Sequence, residues 1–500
     1  MGMRVRVEAV TSGHTPESLA QLLRSEPGLV VLRTGQFDVH SARYSFVSAR
    51  PEMTFASFGT RCEARGADQT THRWYGNPWE LLRERLAEFE LLEETEHAFP
   101  LGGVFGYWGF ELKQFTEPRL TRRAVNDLEL PDCHVGFYSS LVVFDHAGGR
   151  IWIVATGLDA AGNRTESRQE QQLAWWQGRL KLPAQMPAAA PLIGAGRSSS
   201  AIQSSLTRAA FLAAVRRAQD YIQSGDIYQV NLAQRLQAPC AGGAWEFSRR
   251  LAAKSPAPFS AYYDAGTFAL VSSSPELFLR LSDRRILTRP IKGTRPRHRD
   301  PICDSRLREE LLASAKERSE LVMITDLLRN DLGRVCEYGS VQVPELFRLE
   351  QYPQVQHLVS TIQGRLRPAV SHLDALAACF PGGSITGAPK IRALEIIDEL
   401  EPVARGPYCG CHGYLGFNRE SQLSITIRTA VIRDDTAWFH VGAGIVADSI
   451  PEAEYDETMA KAAGLLSALT QADPVDPLDR GMTVPGMDHE SLVPLTDADP

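Results

Sequence analysis

Apolar residues recur along this chain with two distinct periods, and the period changes several times. Phe211, Val215, Ala218 and Ile222 follow one another at helical spacing behind Thr207, which can cap, and ahead of Gly225, which can stop the run. The spacing predicts a helix there and further helices over Pro78–Leu92, Arg306–Leu328 and Pro389–Leu400. Between them, short runs such as Ile151–Ala155, Phe268–Ser273 and Leu423–Ile432, the last closed by Arg433, carry the β-branched and aromatic residues that suit strands. Helices and strands are interleaved without the steady strand–helix alternation of a parallel sheet. The pattern therefore predicts an α+β chain, mixed helix and strand built on large antiparallel sheets, and no internal repeat is visible.

Two breaks in composition divide the pattern. The stretch 182–206, LPAQMPAAAPLIGAGRSSSAIQSSL, is rich in Ala, Pro, Gly and Ser and reads as a linker. From 471 to 500 the chain fills with Pro and Asp and reads as a disordered tail. This leaves an N-terminal block at 1–181 and a larger one at 207–470. A chain of 500 residues with 43% hydrophobic and 23% charged residues can build more than one core. Its formal net charge of -7 argues against nucleic acid as a partner, and an anionic ligand would need a local cation, a metal or aimed amides. The eight cysteines are scattered without a paired metal spacing, so reduced thiols are expected, with Cys409 and Cys411 read as small core residues. MGMRVRVEAV has no apolar signal region, Arg6 spoils a myristoylation pattern, and no apolar run approaches the roughly 20 residues of a membrane helix. A cytoplasmic protein without membrane contact is expected.

Chemistry enters through acidic residues in pairs. Glu317 and Glu320 project from one side of a predicted helix, and Glu454, Glu457 and Lys461 share a side of another, behind the turn at Asp448–Pro451. Two such helices facing one cleft would suit a hard divalent cation such as magnesium, although such doublets also decorate solvated helix faces. The glycine-rich segment Pro381–Lys390 runs into a helix and could present amides to an anion. It is no phosphate loop, because Ala388 and Pro389 stand where a Lys-Ser or Lys-Thr pair would be required. Val441–Gly444 either lets amides approach a carboxylate or forms a tight turn. Lys292, in Pro290–Arg297, is either a desolvated amine able to act as nucleophile or base, or an exposed lysine at a strand end.

Taken together, GDIYQVNLAQR (225–235), SSPELFL (273–279), PIKGTRPR (290–297), ERSELVMITDLLRNDLGRV (317–335), QHLVSTI (356–362), FPGGSITGAPKIRALEIIDELEP (380–402), GPYCGCHGYLGF (406–417), SITIRTA (424–430) and GAGIVADSIPEAEYDETMAK (442–461) resemble the chorismate-utilising enzymes. That family comprises the anthranilate, aminodeoxychorismate, isochorismate and salicylate synthases. The strings follow family order over most of the second block, while FGYWGFEL (105–112) is the clearest match in the first. The resemblance implies a two-part sandwich of large antiparallel sheets flanked by helices, with the first block similar to the N-terminal domain of anthranilate synthase component I.

It also implies Glu320 and Glu457 as magnesium ligands, with Glu317 and Glu454 nearby or acting through water. The metal would neutralise the ring carboxylate of chorismate, with the amides of Gly442, Ala443 and Gly444 and Lys461 completing that site. Tyr408 and Arg428 would clamp the enolpyruvyl carboxylate, Thr294 and Thr386 join the substrate contacts, and His357 lies close to the ring. Glu276 matches the general acid/base. Lys292 points to the aminodeoxychorismate branch, because anthranilate synthases usually carry Ala in the PIxGT position. There it would attack C2 while the C4 hydroxyl leaves. The chain shows no glutaminase nucleophile turn, so a separate glutamine amidotransferase subunit is the implied source of ammonia, and the product would serve 4-aminobenzoate and folate synthesis. The nearest rival within the family is anthranilate synthase component I; isochorismate or salicylate synthesis and a catalytically silent subunit are further ones. The signature of a tryptophan site is not evident near Val30–Gly35.

Overall fold

In the computed structural model the described residues are 3–34, 42–92, 94, 96–186, 202–352 and 355–470, with the backbone of 493–494. Two large, almost wholly antiparallel sheets of 13 and 12 strands form the framework. Each is assembled from both sequence blocks. In the 13-stranded sheet, first-block strands end at Val30–Arg33, which pairs with Phe259–Asp264 of the second block. The sheet continues through Ala269–Ser274, Thr429–Arg433, Thr436–Ile445 and Gln229–Pro239. In the 12-stranded sheet, Gly103–Trp108 of the first block pairs along its whole length with Cys411–Gly416 of the second. That ladder explains why FGYWGFEL is the recognisable string of the first block. It is covalently remote from the catalytic motifs but hydrogen-bonded to one of them.

The sheets pack face to face. Phe46 of one meets Tyr414 of the other with ring centroids 5.1 Å apart, and the His134 Nδ1 lies 2.7 Å from the Tyr263 hydroxyl across the same interface. One apolar core runs through both, with Tyr107, Trp108, Phe105 and Leu415 almost wholly excluded from water. The expected mixed fold with large antiparallel sheets and flanking helices is what is found. Of the segment expected to be a linker, 187–201 lies outside the described residues, and Gln203–Ser204 pairs with the strand Gln229–Pro239. The tail expected over 471–500 lies outside them too, apart from the backbone of 493–494.

Most helices form where the periodicity placed them. Thr207 caps Arg208–Gln223 by accepting from the Ala210 amide, and Phe211, Val215 and Ala218 are buried. Three expectations need correction. The run Leu423–Ile432 is two strands, Glu420–Ile425 and Thr429–Arg433, which belong to different sheets. The chain crosses between them at Ile427 and Arg428, the latter at φ +51°. The helix expected over Arg306–Leu328 is likewise two, Pro301–Ala313 and Ala315–Gly333, separated at Ser314. Ser314 leaves helical geometry and accepts from the Glu317 amide, capping the second helix. Val441–Gly444 is no turn but the middle of the strand Thr436–Ile445.

Candidate active site

The motif residues gather where the two sheets part. Ile291–Pro296 pairs with Val355–Arg365, and the ladder slips between Lys292 and Thr294. The slip leaves Lys292 half-buried and brings Thr294 Oγ1 to 2.9 Å from His357 Nδ1. Burial, with the nearby Arg428 charge, pushes the His357 imidazole down to about 4, against a backbone hydrogen bond with Gly293. His357 is therefore neutral at physiological pH and braces the strand that carries Lys292.

Glu276 sits two residues beyond the end of the Ala269–Ser274 strand and is buried. Burial raises its carboxyl above the ordinary glutamate value. Opposing this are a hydrogen bond with the Ser384 side chain, the Lys292 ammonium, the Ile291 amide and the Lys461 ammonium. Ser384 comes from the glycine-rich segment but escaped the sequence reading, which picked Thr386 from the same loop. Thr386 is fully buried, and its hydroxyl donates to the Gly382 and Gly383 carbonyls. It holds the loop closed. Lys390, two residues beyond the place where a phosphate loop would keep its lysine, is ion-paired with buried Asp331 at 2.6 Å.

The acidic doublets lie on Ala315–Gly333 and Pro451–Thr470, as their spacing predicts. Burial raises the Glu320 carboxyl; the Lys292 ammonium opposes this, while the charges of Glu317 and, from the other helix, Glu457 add to it. The two helices thus bring carboxylates within electrostatic reach of each other. Burial would raise Glu457, but Lys461 stands 2.6 Å away and, with Lys292 and Lys316, holds it below the usual glutamate range. Lys461 also donates to the Gly442 carbonyl at 2.8 Å. Glu454 is buried, raised by that burial, and accepts the Ser449 hydroxyl at 2.6 Å. Glu317 is 3.5 Å from Arg295.

Among the described residues no three His, Cys, Asp or Glu side chains close around one point. A cation here would rest on two carboxylates, with water and substrate supplying the remaining oxygens. The donor set fits magnesium in that form, since it consists of carboxylates alone and magnesium keeps several waters. Glu320 and Glu457 are the pair whose charges meet across the gap.

A second wall offers backbone amides and a cation. Thr429–Arg433 pairs with Thr436–Ile445 only from Val431↔Trp438 outward, so residues 440–445 have a ladder partner on one side, the strand Gln229–Pro239. Every second amide of 440–445 faces the gap left by the missing partner. Tyr408 approaches the same strand at Gly442. A Cβ at Gly442 would come within 2.8 Å of its hydroxyl, so glycine is what allows the ring to approach the strand. Arg428, at the corner between the two sheets, has no hydrogen-bond or ion-pair partner for its guanidinium among the described residues. Burial lowers its pKa against the influence of Tyr408 and Glu457. A guanidinium without a protein partner has the chemistry to take a carboxylate. Cys409 and Cys411 are buried free thiols, as their bland reading had it.

Comparison with known proteins finds one family. The chorismate binding enzyme family matches residues 41–467. Anthranilate synthase component 1 of Thermus thermophilus is 45% identical over 374 residues, covering 74% of this chain and 78% of that one. Aminodeoxychorismate synthase component 1 of Klebsiella aerogenes is 40% identical over 448 residues, covering 89% and 95%. Among solved structures, anthranilate synthase component I of Streptococcus pneumoniae superposes with a TM-score of 0.74 at 30% identity, covering 86% of this chain and 93% of that one.

Proposed function

The chain belongs to the chorismate binding enzymes, and we propose that it is the chorismate-aminating subunit of an aminodeoxychorismate synthase. The observation that carries this reading is Lys292. Its ammonium lies in electrostatic reach of the buried acid Glu276 and of Glu320 and Glu457 on the two carboxylate helices.

Chorismate, a dianion, would enter with its enolpyruvyl carboxylate on Arg428 and Tyr408 and its ring carboxylate towards the amides of 442–444 and the acidic helices. Magnesium, held by Glu320 and Glu457 with Glu317 and Glu454 behind them, would supply charge neutralisation and orientation for that ring carboxylate. Lys292, deprotonated, forms a bond to C2 while the double bonds shift and the C4–O bond breaks. Glu276 gives its proton to the departing hydroxyl, which leaves as water. Ammonia then bonds to C4, the double bonds shift back, and the C2–N bond breaks to return the lysine. A proton lost by the incoming nitrogen restores Glu276. Chorismate and ammonia become 4-amino-4-deoxychorismate and water, the precursor from which 4-aminobenzoate and then folate are made. Ammonia would come from a separate glutamine amidotransferase subunit.

No helix among the described residues is long and apolar enough to cross a membrane, and all eight cysteines are unpaired, which supports placing the reaction in the cytoplasm. The 45% identity with the Thermus anthranilate synthase component favours a second reading, in which ammonia adds at C2 and pyruvate is lost. One assay separates the two. Chain, chorismate, magnesium and excess ammonium are incubated with and without an aminodeoxychorismate lyase. 4-Aminobenzoate that appears only with the lyase supports the proposal. Anthranilate formed without the lyase overturns it.

A further inference from the structure

One deeply buried cation near the cleft plays no part in the chemistry above. Arg405 is 2% exposed, and its guanidinium donates to both oxygens of Glu401, at 2.8 and 2.6 Å. The same group donates to the Asn231 carbonyl at 2.7 Å and to the Ile385 carbonyl at 3.4 Å. Glu401 in turn accepts the Ala233 amide at 2.9 Å. Asn231 and Ala233 lie on the strand paired with residues 442–444. Ile385 ends the short helical turn of the glycine-rich loop, next to Ser384, which bonds Glu276.

Tyr408 follows Arg405 by three residues. The guanidinium lies over its ring, 5.5 Å from the centroid, and His440 stacks on it at 5.1 Å and 15°. A small cavity of about 20 Å³ lies beside this ring and is lined by Arg235, Arg405, Tyr408, Trp438 and His440. Packing therefore does not close completely around the ring. We propose that Arg405, with Glu401, is a positioning residue of the chorismate cleft, holding Tyr408, the Asn231 strand and the Ile385 loop at one spacing. It sets affinity for the substrate carboxylate without touching it. A planar group with five donors can span three separate segments at once, which a lysine ammonium on a flexible stem cannot do.

The inference rests on the reading of Tyr408 as a chorismate contact. Its test is the pair of variants Arg405→Lys and the doubly substituted Arg405→Met, Glu401→Leu. The double change removes both buried charges together, avoiding an uncompensated ion. Each is measured for thermal midpoint, chorismate consumption and calorimetric binding of chorismate without ammonia. We expect a folded variant to show KM and Kd for chorismate raised about tenfold or more, kcat within about threefold, and an unchanged magnesium titration. Unchanged KM and Kd in a folded variant overturn the proposal. So does a loss of kcat, affinity and fold together in both variants, since Arg405 would then serve stability alone. Formation of anthranilate by the unaltered chain would instead sink the aminodeoxychorismate reading and leave this test intact, because either reaction begins with chorismate binding.

Discussion

In the proposed reaction two residues decide the outcome, and the family resemblance singles both out in the sequence. Lys292 stands out because anthranilate synthases usually carry Ala at its place in the PIxGT motif, and Glu276 because it lies in a string that resembles the family. Lys292→Ala is expected to abolish C4 amination, and Lys292→Arg equally, because guanidinium keeps the charge but cannot act as a nucleophile at neutral pH. Chromatography of the products after incubation with ammonium checks this, and aminodeoxychorismate at the normal rate from either variant removes the covalent role. The raised Glu276 carboxyl fixes a sign for the pH profile. A proton donor must be protonated, so the rate falls as pH rises through its elevated pKa. Glu276→Gln should lose that limb and about 10²- to 10⁴-fold in rate; an alkaline limb surviving in the variant would belong to another group. His357, pushed down to about 4, should contribute no limb near 6.5. Ser384, Arg405 and Glu401 could not be read in this way. Their importance lies in what they touch: Glu401 and Arg405 are only four residues apart, but their bonds to Ala233 and Asn231, and that of Ser384 with Glu276, span 100 residues or more and leave no local periodicity to detect.

The elements were legible wherever one hydrophobic face governs one element, and illegible where two apolar elements abut. Leu423–Ile432 reads as one strand-like run in which Ser424, Thr426, Arg428 and Thr429 are interspersed among apolar residues, so nothing in its composition marks the crossing between sheets. Arg428 takes the left-handed conformation without the glycine that usually signals it. Its place at that corner is also what leaves its guanidinium free. The break at Ser314 was hidden in the same way, by helix-forming residues on both sides. That break has a use, since it starts a new helix three residues before Glu317 and so aims both carboxylates of the doublet. Ser314→Ala removes the side chain that accepts the Glu317 amide and should cost about 1 kcal/mol of stability. If the cap also aims Glu317 and Glu320, the magnesium concentration for half-maximal activity should rise by several-fold while the chorismate KM at saturating metal holds. A melting curve and a magnesium titration together check this; a fall in stability with an unchanged titration would confine Ser314 to capping. Gly387→Ala tests the loop that closes over the same cleft. Gly387 has φ +147°, and a Cβ there would collide with the Gln229 carbonyl. This variant should melt well below the parent or fail to accumulate in soluble form, whereas a parent-like melt would show that the loop yields.

Across the whole molecule, the division into blocks that composition suggests is crossed by hydrogen bonds in both sheets. Val30–Arg33 against Phe259–Asp264, and Gly103–Trp108 against Cys411–Gly416, are backbone ladders that neither block can complete alone. Composition reveals where a chain is polar and loose. It does not reveal which sheet edge the next block will occupy, and that limits what could be foreseen here. His134 offers a way to measure the coupling between the halves. It stands on a first-block strand of one sheet and meets Tyr263, on a second-block strand of the other, at 2.7 Å. Burial depresses its pKa from 6.5 to about 4. The folded protein therefore holds it neutral where the unfolded chain would bind a proton. Its contribution is fully present above pH 6.5 and is lost as pH falls towards 4, by up to about 1.4 kcal/mol per pH unit. Raised carboxyls such as those of Glu276 and Glu320 act in the opposite sense over part of that window. The net profile of the parent alone is therefore a poor gauge, and the difference from a His134→Gln variant isolates the imidazole. That variant should be less stable than the parent at pH 7.5, and the gap in denaturant-unfolding free energy should close steadily between pH 6.5 and 5. A gap independent of pH would mean that this imidazole titrates in the folded protein as it does in water, and that the interface between the sheets is wet at the point where the two blocks meet.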